Sequence, residues 1–330
     1  MSRGFFASII DNEAYKNSEK NWSIELSNSW MYWYDLLANP NDTGYPFDTK
    51  KLIVEYLTNL KKKVEQSLEK RFVYFICSRP KIRFNTKKKP TYNPFTKRYK
   101  FHLLVGKKGR KKTARIAFFN IKTEKFEKNK FEITEKYITI TDSEGDKTTS
   151  SIHDFLSNAE VNFELPTKVE YVGYTKNPDS RPTNGAHSGL SDVLHNVSNE
   201  ESDILIFFNL FKVSTYASSQ NQALNFLISN PMTNEINVDL EGQIIEKSFI
   251  LYFDSDKQNK NKDNEKNELK NNLLKLSKEN KIDSIRVYYE FERPTEYWLL
   301  SSSSIAPRAD HRFTVKLTDD NLEIIKRVNL

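Results

Sequence analysis

Lys168-Val169-Glu170-Tyr171-Val172-Gly173-Tyr174-Thr175 alternates its side chains with period two, which predicts a β-strand with Tyr171 and Gly173 on one face. A glycine inside a strand marks a point of close approach by a ligand or a neighbouring element. The Pro/Gly/Asn-rich stretch that follows, 176–189, predicts a turn that carries Lys176, Arg181 and His187 and leads into a helix near Ser188. These groups suit a phosphodiester. Tyr171 accepts a proton from an attacking water if cations acidify its phenol, or else orients that water. Arg181 offers a planar fork to the non-bridging oxygens, on which negative charge grows. His187 protonates the leaving oxygen or binds phosphate, and Lys176 adds positive potential.

Further along, Gly242-Gln-Ile-Ile-Glu246-Lys-Ser-Phe-Ile-Leu-Tyr-Phe253 predicts a helix over 241–253, with Phe249, Ile250 and Phe253 on the face of Glu246. A carboxylate on such a stripe is partly buried and needs a partner. A hard divalent cation, Mg²⁺ or Mn²⁺, is one such partner, and the scarcity of other carboxylates favours one metal over two. Each residue also has a structural reading: packing for the strand, turn capping for Arg181, an exposed ring for His187, an ion pair for Glu246. Taken together they supply a water activator, a phosphate clamp, a proton donor and a metal ligand.

Charge is the second strong signal. The chain has 330 residues and a formal net charge of +7, yet residues 70–123 hold eighteen Lys or Arg and no Asp or Glu, so the remainder is net acidic. The cations cluster at Lys87, Lys88 and Lys89, at Lys97, Arg98 and Lys100, and at Lys107, Lys108, Arg110, Lys111 and Lys112, interleaved with Phe84, Tyr92, Phe95, Tyr99 and Phe101. Such a block suits a phosphate backbone with exposed bases; its alternative is a set of strands whose loops are solvated by lysine. DNA is the expected partner, with RNA also compatible.

The first 47 residues, with Trp22, Trp30, Trp33 and Phe47, read as an aromatic, irregular cap. A helix follows Asp48 and runs to about Arg71, with strands at 72–77, 99–105, 113–121 and 132–140. Residues 203–213 read as a central strand, 219–228 as helical and 285–292 as a strand, with a polar insertion at 255–281. This gives an α+β protein in two parts: a basic, β-rich domain over 1–131 with one long helix, and a catalytic domain over 132–330. The single Cys77 ends an apolar strand and reads as a buried thiol. No segment reads as a membrane span or secretory signal, and the expectation is an intracellular, cytoplasmic protein. Lys and Asn richness points to an AT-rich bacterial genome. Walker A, dinucleotide-binding, paired Cys-x-x-Cys and His-Glu-x-x-His patterns are absent, and the serines at 301–304 lack a nucleophile-elbow glycine pattern.

At Tyr171-Val172-Gly173, Arg181, His187 and Glu246 the sequence resembles the GIY-YIG nuclease superfamily over about residues 132–292. The resemblance implies a small α/β module with a central antiparallel sheet and metal-dependent hydrolysis of DNA, with Tyr171 or a tyrosine of the preceding strand helping to activate water. It also implies restriction or anti-phage defence, by a homodimer or within a larger assembly. The upstream Gly-Ile-Tyr half is missing about ten residues earlier, and the nearest candidate is Tyr137 in Lys136-Tyr-Ile-Thr-Ile-Thr-Asp142. Pro182 interrupts the helix that follows the arginine, and the interval to Glu246 is long. The competing expectations are a noncatalytic nucleic-acid-binding or targeting subunit, and a protein-interaction module for an acidic partner.

Overall fold

The structure is a computed structural model that describes residues 3–40, 47–68, 71–120, 124–181, 183, 188–197, 200–218, 225–255, 258, 262–319 and 321–327. Its frame is one nine-stranded mixed sheet: β1 (Glu19–Trp33), β2 (Phe72–Pro80), β3 (Thr167–Thr175), β4 (Ser202–Ser218), β5 (Asn225–Ser229), β6 (Ile282–Tyr289), β7 (Leu300–Ser301), β8 (His311–Thr318) and β9 (Asn321–Arg327). The strand order is β7-β3-β2-β4-β1-β6-β8-β9, with β5 paired to the far half of β4. Among the described strands only the β7–β3 and β1–β6 pairs are parallel.

The apolar runs become central strands because both faces of the sheet are covered. On one face, Val73, Phe75 and Cys77 of β2 and Leu205, Phe207 and Phe211 of β4 pack against the helix α3 (Val238–Phe253) through Ile244, Ile245, Phe249 and Phe253. On the other, Phe72, Tyr74, Ile76, Ile204, Ile206 and Phe208 meet Leu57 and Val64 of α1 (Thr49–Leu68) and Leu190 and Val193 of α2 (Ser188–Asn196). The Asp48 carboxylate accepts the Lys51 N–H at 3.0 Å and so caps α1. A fourth helix, α4 (Lys262–Lys275), lies on α3.

Several expectations are corrected. Trp22, Trp30 and Trp33 belong to a strand and not to an irregular cap: β1 is fifteen residues long and lies inside the sheet, paired along its length with β4. A register shift between Leu26 and Asn28 switches the alternation halfway, and that break hides the strand. Residues 225–229 are a strand rather than a helix because they pair with the end of β4 that β2 leaves open; residues 219–224 lie outside the described set. The expected strand 132–140 is a hairpin, Lys130–Ile133 and Tyr137–Thr141, closed by the Thr134 N–H donating to the Tyr137 carbonyl at 2.9 Å.

A boundary at 131/132 does not separate the sheet, because β1 and β2 lie among strands from the second part. The basic segment is an insertion between the neighbours β2 and β3, not a preceding domain, and α1 packs on the main sheet. The insertion builds a four-stranded sheet from 82–84, 91–93, 98–105 and 110–116, a three-stranded sheet from 130–133, 137–141 and 147–151, and a two-stranded ribbon at 119–120 and 125–126. Phe84, Tyr99, Phe101, Phe118, Phe131 and Phe155 pack together beneath them. The small central antiparallel sheet is likewise replaced by the nine-stranded mixed one.

Candidate functional site

β7 pairs with β3 at Thr167 and Lys168, and among the described residues no strand pairs with the rest of β3 on that side. Side chains satisfy its backbone. Gln258 accepts the Val172 N–H at 3.0 Å and donates to the Val172 carbonyl at 2.6 Å; Ser255 donates to the Glu170 carbonyl; Glu246 accepts the Tyr174 N–H at 3.1 Å. Glu246 is therefore fixed at the sheet edge by the strand that carries Tyr171.

Beside that edge opens a cleft of about 750 Å³ lined by Arg71, Tyr174, Thr175, Lys176, Asn177, Ser180, Arg181, Asp239, Gln243 and Glu246. The turn that brings Arg181 to it is held by the Thr175 hydroxyl accepting the Asn177 N–H at 2.9 Å, by the Asn177 carbonyl accepting the Arg181 N–H at 2.9 Å, and by Lys61 of α1 donating to the Asn177 side chain at 2.7 Å. Across the cleft Arg71 pairs with Asp239 at 2.8 Å, and Gln243 donates to the Tyr174 hydroxyl at 3.2 Å. Gly242 permits this packing: a Cβ there would lie 3.0 Å from the Arg71 Cβ and 3.1 Å from the Tyr174 ring.

Tyr171 stands on the opposite face of β3 from Val172 and stacks on Tyr74 of β2, with ring centroids 6.1 Å apart. The Tyr74 hydroxyl is within hydrogen-bonding reach of both the Tyr171 hydroxyl and the Arg181 guanidinium. Gly173 pairs with Tyr74 across the strands, and the missing Cβ leaves the space that the Tyr74 phenol fills. Burial pushes both phenols above their ordinary range; the Glu246 charge adds to this and Arg181 offsets part of it. Acidification of Tyr171 is thus not what this environment produces. A neutral phenol orients water but does not take its proton.

Burial also pushes the Glu246 carboxyl up to about 8, with Glu265 contributing in the same direction, against Lys247, the Tyr174 N–H and Arg181. A carboxyl in that condition binds a proton or a cation at neutral pH. Among the described residues there is no group of three or more His, Cys, Asp or Glu side chains able to hold a metal ion. A divalent cation here would therefore take Glu246 as its protein ligand and complete its shell with water and substrate oxygens, a habit of Mg²⁺.

The sequence-derived candidates thus divide. Lys176, Arg181 and Glu246 line one cleft, and Tyr171 adjoins it through Tyr74 and Arg181. Tyr137 lies elsewhere, buried in the inserted hairpin 6.2 Å from the Trp33 ring, and is not the tyrosine paired with Tyr171. His187 lies outside the described residues. Sequence reading missed Tyr74, Arg71, Asp239 and Gln243. Tyr74 sits in Phe72-Val-Tyr-Phe-Ile-Cys77, which reads as plain core; the only hint was the glycine at 173 asking for a close neighbour.

Of the basic cluster, Lys87, Lys88, Lys89, Lys97, Arg98, Lys107, Lys108, Arg110, Lys111 and Lys112 are exposed and Lys100 is half-buried; Lys107 makes a surface pair with Glu200 at 2.5 Å. No described helix is long and apolar enough to cross a membrane. Compared with protein-family models, with curated proteins and with solved structures, the chain matches none.

Proposed function

We propose that the chain is a divalent-metal-dependent endonuclease that hydrolyses phosphodiester bonds in DNA, with a GIY-YIG-like centre built across β2 and β3. The observation that carries this reading is the convergence of Tyr74, Tyr171, Arg181 and Glu246 at one edge of the sheet, beside a cleft that also holds Arg71 and Lys176. Phe72-Val73-Tyr74 takes the place sought at Tyr137, since its strand pairs antiparallel with Tyr171-Val172-Gly173. On this reading the basic sheets are inserted between the two halves of the motif, which is why the halves are so far apart in sequence.

A bound divalent cation would polarise the phosphate and stabilise the leaving oxygen. Glu246 would hold it, in carboxylate form, against the Tyr174 N–H. Arg181 and Lys176 neutralise the non-bridging oxygens, Arg181 as a fork and Lys176 as positive potential, while Arg71 is balanced by Asp239. The Tyr171 phenol, held by stacking on the buried Tyr74 ring, orients the attacking water by a hydrogen bond.

Supercoiled plasmid incubated with Mg²⁺ or Mn²⁺ tests this. Nicking by the wild type that falls by ~10²-fold or more in both Glu246→Ala and Arg181→Ala is the expected result. If neither DNA nor RNA is cut in either metal while salt-sensitive binding persists, the chain is a targeting subunit instead.

A further inference from the structure

The interleaved aromatics of the basic segment separate sharply in the fold. Phe84, Tyr99 and Phe101 are core and Tyr92 is half-buried, whereas Phe95 is 96% exposed. It stands at the tip of the turn between strands 91–93 and 98–105, where the Asn93 side chain accepts the N–H groups of Phe95 at 2.9 Å and Thr96 at 3.2 Å. Lys97 closes the turn at φ +53°, and its ammonium lies 5.2 Å from the ring of Phe126, itself exposed on the ribbon. The ring is thus held out in water by a fixed backbone and not by a loose loop.

Below the ring is a cleft of about 500 Å³ whose lining includes Tyr92, Phe95, Arg98, Lys100 and Arg115. Its cations share one face of the sheet, because Lys100 pairs with Arg115 and Arg98 lies two residues from Lys100 on the same strand. Among the described residues no carboxylate lines it. The size falls within the ~300–1,000 Å³ range of small-ligand clefts. A bare aromatic over a row of cations matches a base with its phosphate: the ring stacks on any base, and the cations take the backbone.

We propose that this cleft is a subsite for an unstacked nucleotide, with the base on Phe95 and the phosphates on Arg98, Lys100 and Arg115, so that the protein prefers nucleic acid with unpaired bases to flush duplex. The proposal rests on the nucleic-acid reading of the basic segment but not on cleavage. It is tested by anisotropy with the full chain in EDTA, using a labelled oligothymidine of about 20 nucleotides and the same strand in duplex. Phe95→Ala weakens single-strand binding about 10-fold and leaves duplex binding within about twofold, and Phe95→Trp restores it. Arg115→Ala weakens both probes and lowers the salt slope by about one. Single-strand affinity unchanged in Phe95→Ala, with salt-sensitive binding intact, overturns the subsite and leaves the basic surface standing. Failure of the wild type to bind either probe overturns both.

Discussion

Gly173 and Tyr74 face each other across β3 and β2, and a Cβ on the glycine would fall on the Tyr74 phenol and 3.0 Å from the Tyr171 ring. One small residue thus sets the place of two phenols. Gly173→Ala forces Tyr74 out of its position, and overpacking of this kind costs ~1–3 kcal/mol. The expected outcome is lower stability together with a loss of nicking comparable to that of Tyr74→Phe. In the background Tyr74→Leu, which withdraws the obstructing atoms, Gly173→Ala costs much less. A double-mutant cycle by urea denaturation checks the coupling, and additive effects would show that the glycine serves something other than Tyr74.

Glu246 gives a pH signature in the metal-free protein. Its carboxyl is raised from 4.5 to about 8, chiefly by burial, so between those values the native state holds a proton that the unfolded chain has lost. Stability therefore falls as pH rises through this window and is lowest above it. Glu246→Gln removes the dependence. The variant is expected to match the wild type near pH 5 and to exceed it by on the order of 3 kcal/mol above pH 8, in EDTA. Mn²⁺ raises the wild-type Tm at pH 8 and leaves that of Glu246→Gln unmoved, read by scanning fluorimetry.

What the sequence revealed and concealed has physical causes. The strand at Tyr171 announces itself by local alternation, although its pairing shifts register between Val169 and Tyr171; β4 does so by a continuous apolar run, and the helix of Glu246 by its apolar stripe. β1 was hidden by its register shift, and β5 by pairing that no local propensity encodes. The site was half legible for the same kind of reason. Groups that follow Tyr171 within one turn could be gathered by spacing, but Tyr74 reaches Tyr171 across nearly a hundred residues of inserted sheet, and long-range pairing leaves no periodic trace. Charge clustering revealed the basic surface, although most of its aromatics are core.

Asp203 ties that insertion to the main sheet. Its carboxylate accepts the Ile82 N–H at 3.1 Å, both Arg83 nitrogens at 2.8 Å and His153 Nε2 at 3.0 Å. Burial alone would raise this carboxyl, but the hydrogen bonds and charges of His153 and Arg83 outweigh it and hold it well below the usual carboxylate range. The stability it confers is complete above the ordinary Asp value near ~4 and drains away as pH falls below it. Asp203→Asn is expected to lose ~3 kcal/mol at pH 7 and to show a flatter urea midpoint between about pH 5 and pH 2. An unchanged acid profile would assign the transition to other carboxylates.

A second buried pair anchors the return of the insertion. Arg79, at the end of β2, pairs with Glu296 and donates to the Leu165 carbonyl, and its guanidinium lies 4.0 Å from the Tyr297 ring centroid. Glu296 also accepts the Phe163 N–H at 2.6 Å and the Leu165 N–H at 3.3 Å, so it fixes the segment that leads into β3. Removing one partner strands the other, and Arg79→Ala is expected to cost ~3–5 kcal/mol. Arg79→Ala combined with Glu296→Gln costs less than that single change, because the amide still accepts a backbone N–H and carries no buried charge. Because β3 carries Tyr171 and its edge holds Glu246, the single variant also loses nicking at temperatures where it remains folded. Full activity in a folded Arg79→Ala protein would show that the site keeps its geometry without this anchor.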